Sequence, residues 1–304
     1  MIGALVPLSP PGWAEHGRHL LTGLELAARE LEVQLVVRDT AGDPARAAAA
    51  VDEFADLGLA AVAGEFHSVV ARAAAARADA RGLPFLCSSA VIDALTDHPT
   101  DHVARLAPAQ SHGWRIYADF LLAAGHRRIA VIAEPSVYWA AGTRILREHL
   151  AARGGTVIEL DLDALGESGA TAVLLLVGDA EPLVTAIRED SRLSGILIGA
   201  PAGQPELAEW GAAIPFLRYR ADRLTPLGDR VEAALGGAPS FVALEGYDAI
   251  LVLAEQLRTG APWSRVTVEG TRGTIRFTRP PGGHVWQWTW PPVQVATRAA
   301  SSTA

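Results

Sequence analysis

The chain has 304 residues, half of them hydrophobic, and a formal net charge of −8 at pH 7. That length suits two lobes better than one core, and the acidic balance argues against a nucleic-acid partner, which needs a basic face. All 26 basic residues are arginines and no asparagine occurs, which excludes a Schiff-base lysine, a phosphate-loop lysine and N-glycosylation.

In chain order, residues 2–7 predict a strand, followed by a helix over 16–31 with Leu20, Leu21, Leu24 and Ala28 at helical spacing. Residues 33–38 predict a second strand. Asp43-Pro44 then offers an N-cap and a first-turn proline for a helix running to about Leu57. A third strand is expected at 60–63, with Ser68 capping a helix over 69–80, and a fourth at 83–87 with a short helix at 92–95. The single cysteine, Cys87, lies in that fourth apolar run; it is expected to be buried, and it excludes an internal disulfide or a cysteine-based metal cluster.

The pattern restarts at Leu106-Ala107-Pro108, with a helix over 111–124, a strand at 128–133 and a helix over 140–153 stopped by Gly154-Gly155. Strands at 156–160, 172–177 and 195–198 flank a helix over 182–189 and predict a second doubly wound sheet. Beyond it, 225–235 and 240–259 read as helices, the latter with Ala249, Leu253 and Leu257 on one stripe. Residues 273–277 and 284–290 alternate like a β-hairpin across Pro280-Pro281-Gly282-Gly283, and 297–304 is expected to fray. The fold class is therefore α/β, with two doubly wound parallel-sheet lobes. No run of about 18 apolar residues predicts a membrane span.

In such sheets ligands sit at the loops after the strands' carboxyl ends. Here those loops include Ser9-Pro10-Pro11-Gly12-Trp13, Glu65-Phe66-His67-Ser68, Ser88-Ser89-Ala90, Glu134-Pro135-Ser136-Val137-Tyr138 and Gly178-Asp179. They are rich in hydroxyls and aromatics, which describes the wall of a binding pocket. Ser68, Ser88 and Ser89 either bind a solute's polar end or cap helices. Trp13 either roofs the pocket or makes a surface or hinge contact, and Phe66 and His67 either line the pocket or simply pack. Tyr138 and Trp139 are the aromatic candidates from the second lobe. Asp179 either pairs with a ligand cation or caps the helix that follows. His98 and His102 have i, i+4 spacing, but Pro99 interrupts the helix a metal site would need, so no metal is expected. Trp286, Trp288 and Trp290 share a strand face and are expected to pack there. No Gly-x-Gly-x-x-Gly, Gly-x-Ser-x-Gly or His-Glu-x-x-His motif occurs, so neither catalytic residues nor a cofactor are expected.

The layout resembles the type I periplasmic-binding fold, in its branched-chain amino acid and amide receptor branch. The resemblance is carried by Ile2-Gly3-Ala4-Leu5-Val6-Pro7-Leu8-Ser9, Asp39-Thr40-Ala41-Gly42-Asp43-Pro44, Ala63-Gly64-Glu65-Phe66-His67-Ser68, Leu83-Pro84-Phe85-Leu86-Cys87-Ser88-Ser89-Ala90, Arg105-Leu106-Ala107-Pro108, Gly246-Tyr247-Asp248-Ala249 and Gly273-Thr274-Ile275-Arg276-Phe277. It implies two lobes joined by a three-strand hinge, with a solute held between them and no chemistry done on it. It further implies a solute carboxylate at Ser68 and the Ser89-Ala90 backbone, and an aromatic contact at Tyr138. Val91 departs from the threonine often found there, and Gly199-Ala200-Pro201-Ala202-Gly203 lacks the usual acidic residue. A neutral amide or small carboxylate is thus nearly as well suited as an α-amino acid.

The resemblance places residues 1–107 with 222–260 in the first lobe, 108–221 with 261–296 in the second, and 297–304 in a flexible tail. It implies a small polar organic ligand and an ABC permease as partner, with no nucleic acid and no direct membrane insertion. Ser136-Val137-Tyr138 and Ala107-Pro108-Ala109-Gln110 are also similar to cytoplasmic amide sensors, whose partner is a regulator protein. With no signal peptide read at its start, the chain as it stands is expected in the cytoplasm; an upstream signal or lipobox outside this sequence would make it extracytoplasmic.

Overall fold

The computed structural model describes residues 1–10, 13–203, 205, 208–220, 222–236, 240–289 and 293–299. The elements are β1 (Ile2–Val6), α1 (Ala14–Glu30), β2 (Leu35–Asp39), α2 (Pro44–Asp56), β3 (Ala61–Gly64), α3 (Ser68–Ala80), β4 (Phe85–Cys87) and β5 (Val103–Arg105). Then come α4 (Gln110–Ala123), β6 (Arg128–Ala133), α5 (Val137–Ala151), β7 (Thr156–Glu159), α6 (Leu162–Leu165), β8 (Ala172–Leu176), α7 (Glu181–Glu189), β9 (Leu197–Gly199) and β10 (Pro215–Arg218). The last are α8 (Pro226–Ala234), α9 (Phe241–Thr259), β11 (Thr267–Gly270), β12 (Gly273–Thr278), β13 (Trp286–Trp288) and β14 (Gln294–Thr297). No helix among the described residues is long and apolar enough to cross a membrane.

Two compact units emerge, Met1–Ala109 with Tyr219–Pro292, and Gln110–Arg218 with Val293–Ala304. The first holds an eight-stranded sheet in the order β11-β12-β13-β5-β4-β3-β1-β2. Strands β1 to β5 run parallel, and β1, β3, β4 and β5 are buried throughout. Continuous apolar runs are what a parallel strand covered on both faces requires. One face of this sheet packs on α1 and α9, whose buried residues include Leu20, Leu24, Ile250 and Leu253; the other packs on α2 and α3 through Phe54, Val70 and Phe85. Helices α1 and α9 approach so closely that a Cβ on Gly23 would lie 1.8 Å from the Ala243 carbonyl, and one on Gly246 2.4 Å from the Leu20 carbonyl. Only glycine fits at such a crossing.

The second unit holds a parallel sheet in the order β7-β6-β8-β9, and a separate antiparallel pair of β10 and β14. Its core gathers Ala130, Ile132, Val173, Leu175, Val184 and Ile187.

Several expectations need correction. The hairpin assigned to the second lobe belongs to the first unit: β12 pairs with β13, and β13 lies parallel to β5 with Trp286 opposite Ala104. Residues 261–292 therefore group with the first sheet. Strand β14 ends at Thr297 and Arg298 bridges Ala212, so the first two residues of the expected tail are paired, while 300–304 lie outside the described residues. Strands β5, β10, β11 and β14 and the one-turn α6 are absent from the sequence reading. No helix forms at 92–95. Trp288 is 2% exposed, Trp286 is half-buried under the Arg279 guanidinium, and Trp290 lies outside the described residues.

Candidate functional site

In each unit the parallel strands bring their following loops to one edge of the sheet. In the first unit that edge is tied together by two carboxylates. Asp39, ending β2, accepts the N–H groups of Leu8 (2.7 Å), Ser9 (3.3 Å) and Ala41 (2.8 Å) and the Ser9 hydroxyl. Burial raises its carboxyl, but the Ser9 hydroxyl and the three N–H donors outweigh that and hold it below the usual range. Glu65, just after β3, is fully buried. Its Oε1 accepts the N–H groups of Phe66 (2.9 Å) and His67 (3.0 Å), and its Oε2 accepts the Thr40 hydroxyl at 2.7 Å.

This arrangement revises the role of Ser68. The N-cap of α3 is His67, which makes no side-chain capping bond, and Ser68 is the first helical residue, half-buried. Glu65 serves the entrance instead, and the helix geometry leaves the N–H groups of Ser68, Val69 and Val70 without intrahelical partners. A helix start of this kind suits an anion or a carbonyl oxygen. Burial lowers the His67 pKa, so its ring is neutral.

Ser88 and Ser89 follow β4 and are buried, with Ser89 Oγ 3.3 Å from Ser88 Oγ. The Ala90 N–H does not face a ligand as expected, because it donates to the Glu65 carbonyl at 3.1 Å. Trp13 is 44% exposed and tilts over Phe66 at 6.0 Å, while His16 stacks on Phe66 at 4.5 Å. His16, in the first turn of α1, is the third member of that aromatic group and escapes the sequence reading because it sits inside a helix. Pro11 and Gly12 lie outside the described residues. His98 Nε2 and His102 Nδ1 both turn to the Asp79 carboxylate, at 2.9 and 3.0 Å.

In the second unit α5 begins at Val137, three residues before its predicted start, with the Ser136 hydroxyl accepting the Tyr138 N–H at 3.2 Å. Tyr138 and Trp139 thus stand in the first helical turn. The Tyr138 ring meets Trp114 edge-on at 6.1 Å and Trp139 at 4.9 Å, and the buried Gln110 amide donates to the Tyr138 carbonyl at 2.9 Å. Burial pushes the Tyr138 hydroxyl up to about 12, with the Trp114 indole acting against it. Asp179 is exposed and accepts the Glu181 N–H at 3.2 Å, which makes it a support for the start of α7. Glu134, just after β6, is a second exposed carboxylate at this edge and accepts the Gly178 N–H at 3.0 Å. It passes as an ordinary loop acid in the sequence.

Burial pushes the Glu65 carboxyl up to about 7, against its usual value near 4.5, so folded protein holds a proton that unfolded chain has released. The stability this confers is complete below about pH 4.5 and is lost as the pH rises through about 7, with a slope of at most ~1.4 kcal/mol per pH unit. Glu65→Gln keeps an acceptor for Phe66 and His67 but cannot ionise. Urea unfolding at pH 5, 6, 7 and 8 is expected to show the variant gaining on the wild type as the pH rises. An offset that stays constant with pH would place the Glu65 proton elsewhere.

The profile of the periplasmic binding protein family matches residues 1–187. A search of curated protein sequences returns no match. Among solved structures, the leucine-binding protein LivK of Thermotoga maritima is 21% identical, with a TM-score of 0.80 over 99% of this chain and 96% of its own. A solute-binding protein of an R. palustris ABC transporter, in complex with benzoate, is 18% identical, with a TM-score of 0.78 over 100% of this chain and 98% of its own. LivJ of Streptococcus pneumoniae, in complex with isoleucine, is 17% identical, with a TM-score of 0.76 over 97% and 99%. With the family profile covering more than half of its length and parallel sheets flanked by helices in both units, the chain belongs to the periplasmic binding protein family and has its type I fold.

Proposed function

We propose that the chain is a non-enzymatic binding protein, the solute-binding component of an ABC-type uptake system for a branched-chain amino acid, an amide or a similar small polar solute. The observation that carries this reading is the character of the strand-end loops. They offer an uncapped helix start, buried serine hydroxyls and grouped aromatic rings, with no nucleophile activated by a neighbouring base among the described residues. In this reading the polar end of the solute meets Ser68, Ser88, Ser89 and the first N–H groups of α3. Rings suited to its apolar body are offered separately by each unit, Trp13 and Phe66 in the first and Tyr138 and Trp139 in the second. A solute ammonium meets Glu134 or Asp179. Solute contacts shift the population toward a bound form, which the permease reads.

The Trp13–His16–Phe66 group favours a second solute class, a small aromatic carboxylate, because flat rings offer a face for stacking. The R. palustris protein that binds benzoate has the same fold.

Thermal-shift screening against branched-chain amino acids, aliphatic amides, ureas and benzoates separates these classes. A solute at 100 times its Kd adds about 2.7 kcal/mol to stability, a readily measured rise in Tm. A flat response across all four classes, or turnover of any of them, would overturn the reading. Against a solute that responds, Tyr138→Ala is expected to weaken binding by about 1 kcal/mol or more, roughly fivefold or beyond, as loss of a buried aromatic contact does. Calorimetry giving an unchanged Kd would remove Tyr138 from the site.

A further inference from the structure

Gln287 stands in β13 between Trp286 and Trp288, which pack against the core under α1 and α9. Strand alternation turns Gln287 to the opposite face of the sheet, where it lies in register with Arg105 of β5. Its amide is used at both ends. Oε1 accepts Arg105 Nε at 2.7 Å. Nε2 donates to the Ala107 carbonyl at 2.8 Å and, over a longer 3.4 Å, to the Arg105 carbonyl. These partners fix which way the amide points, because a guanidinium only donates and a carbonyl only accepts.

Each partner in turn holds one end of the loop after β4. At the near end, the N–H groups of Leu106 and Ala107 donate to the carbonyls of Cys87 and Ser88 at 2.9 and 3.1 Å. At the far end, Arg105 Nη1 donates to the Ile92 carbonyl. Arg105 is 4% exposed, so these bonds take the place of water around its guanidinium. Midway, the Ala90 N–H donates to the Glu65 carbonyl at 3.1 Å. Residues 88–92 form neither helix nor strand, so contacts of this kind set their course.

We propose that Gln287 is a positioning residue for the loop Ser88–Ile92, gripping its near end through Ala107 and its far end through Arg105. The bearing on solute affinity rests on the proposed function, in which Ser88 and Ser89 meet the polar end of the solute; the grip itself needs no solute. The loop and the residue that shapes it lie far apart in sequence, and β13 earns its place beside β5 by joining them. Neither tryptophan of β13 can do this, since both face the other side of the sheet.

The two halves of the grip are separable. Gln287→Glu keeps an acceptor for Arg105 Nε but has no donor for the Ala107 carbonyl. Arg105→Met removes the hold on Ile92 and leaves the Gln287 amide in place for Ala107. Gln287→Leu removes both. Should Arg105→Met fail to fold, Arg105→Lys takes its place, because a single ammonium keeps the charge but lacks the fork that spans Gln287 and Ile92.

Hydrogen exchange of the full chain without added solute, read amide by amide by NMR, tests this. The Ala90, Leu106 and Ala107 amides report on the loop, and those of Ile2–Val6 in β1 report on the unit as a whole. In Gln287→Glu, protection of Leu106 and Ala107 is expected to fall roughly tenfold, the worth of one buried hydrogen bond, while Ala90 keeps its protection. In Arg105→Met the pattern is expected to reverse, with Ala90 losing roughly tenfold and Leu106 and Ala107 unchanged. Gln287→Leu is expected to loosen all three, with β1 unchanged in every variant. A side chain that merely adds stability would lower β1 and all three reporters together. That result, the same pattern in Gln287→Glu and Arg105→Met, or full protection in Gln287→Leu overturns the proposal. The solute screen reads separately: a panel with no responder removes the proposed function and leaves the exchange pattern standing.

Discussion

Arg272→Met is expected to lower the stability of the first unit by about 3–5 kcal/mol at pH 8, because it leaves Glu245 and Asp248 buried without a cation. Methionine matches the length of the arginine stem and can still lie against Trp288, so lost packing is a minor part of the effect. The loss is expected to shrink at pH 5. Burial raises both carboxyls, and Glu245, pushed up to about 7, is then already neutral in wild type and variant alike. Adding Glu245→Leu to Arg272→Met is expected to recover part of the loss at pH 8, since an apolar pair of similar volume replaces a buried ion pair at little or no cost. Urea titrations of the three proteins at both pH values check this. A single-variant loss under about 1 kcal/mol at pH 8, the range of an exposed pair, would mean that the guanidinium does not balance the acids.

The same residues show how far local pattern reaches. Strands β1, β3, β4 and β8 are legible because a parallel strand covered on both faces must be apolar throughout. The start of α2 is legible because Asp43 and Pro44 act within one turn, the Asp43 carboxylate accepting from Ala45 and Arg46. The place of the β12–β13 hairpin is not legible, because it depends on Trp286 pairing with Ala104 across some 180 residues of chain. Short-range periodicity carries no trace of such a pairing.

The candidate site divides in the same way. The strand-end loops announce themselves by composition, which is why the serines and aromatics stand out. Their division of labour does not, because Glu65 accepts the Phe66 and His67 N–H groups while Ser68 is a helical residue and not the cap, and Ala90 spends its N–H on a neighbouring loop. One signal for the buried cluster was present. Glu245 and Asp248 interrupt a helix buried continuously from Val242 to Ile250, with no basic residue one turn away on either side. Acids in that position demand a cation from a distant part of the chain, and Arg272 answers the demand.

In the second unit the largest loss is expected from Trp114→Ala. Trp114 is fully buried on α4, meets Tyr138 edge-on at 6.1 Å, and lies under Gly142 of α5. Truncating a buried tryptophan costs about 3–5 kcal/mol, the spread depending on how far the surroundings collapse into the space. The fit at Gly142 gives a sharper check than the size of the loss. A Cβ there would meet Trp114 Cη2 at 2.3 Å, so Gly142→Ala in the wild type forces the indole to move and is expected to cost about 1–3 kcal/mol. On an unhindered helix the same change gains nearly 1 kcal/mol from backbone propensity. In the Trp114→Ala background the obstruction is gone, so Gly142→Ala is expected to be neutral or stabilising. The sign of its effect thus reverses between the two backgrounds, and urea unfolding of the four proteins measures the coupling directly. An equal cost in both would mean that α4 and α5 do not meet through Trp114, and Tyr138 would then lose the ring that supports it.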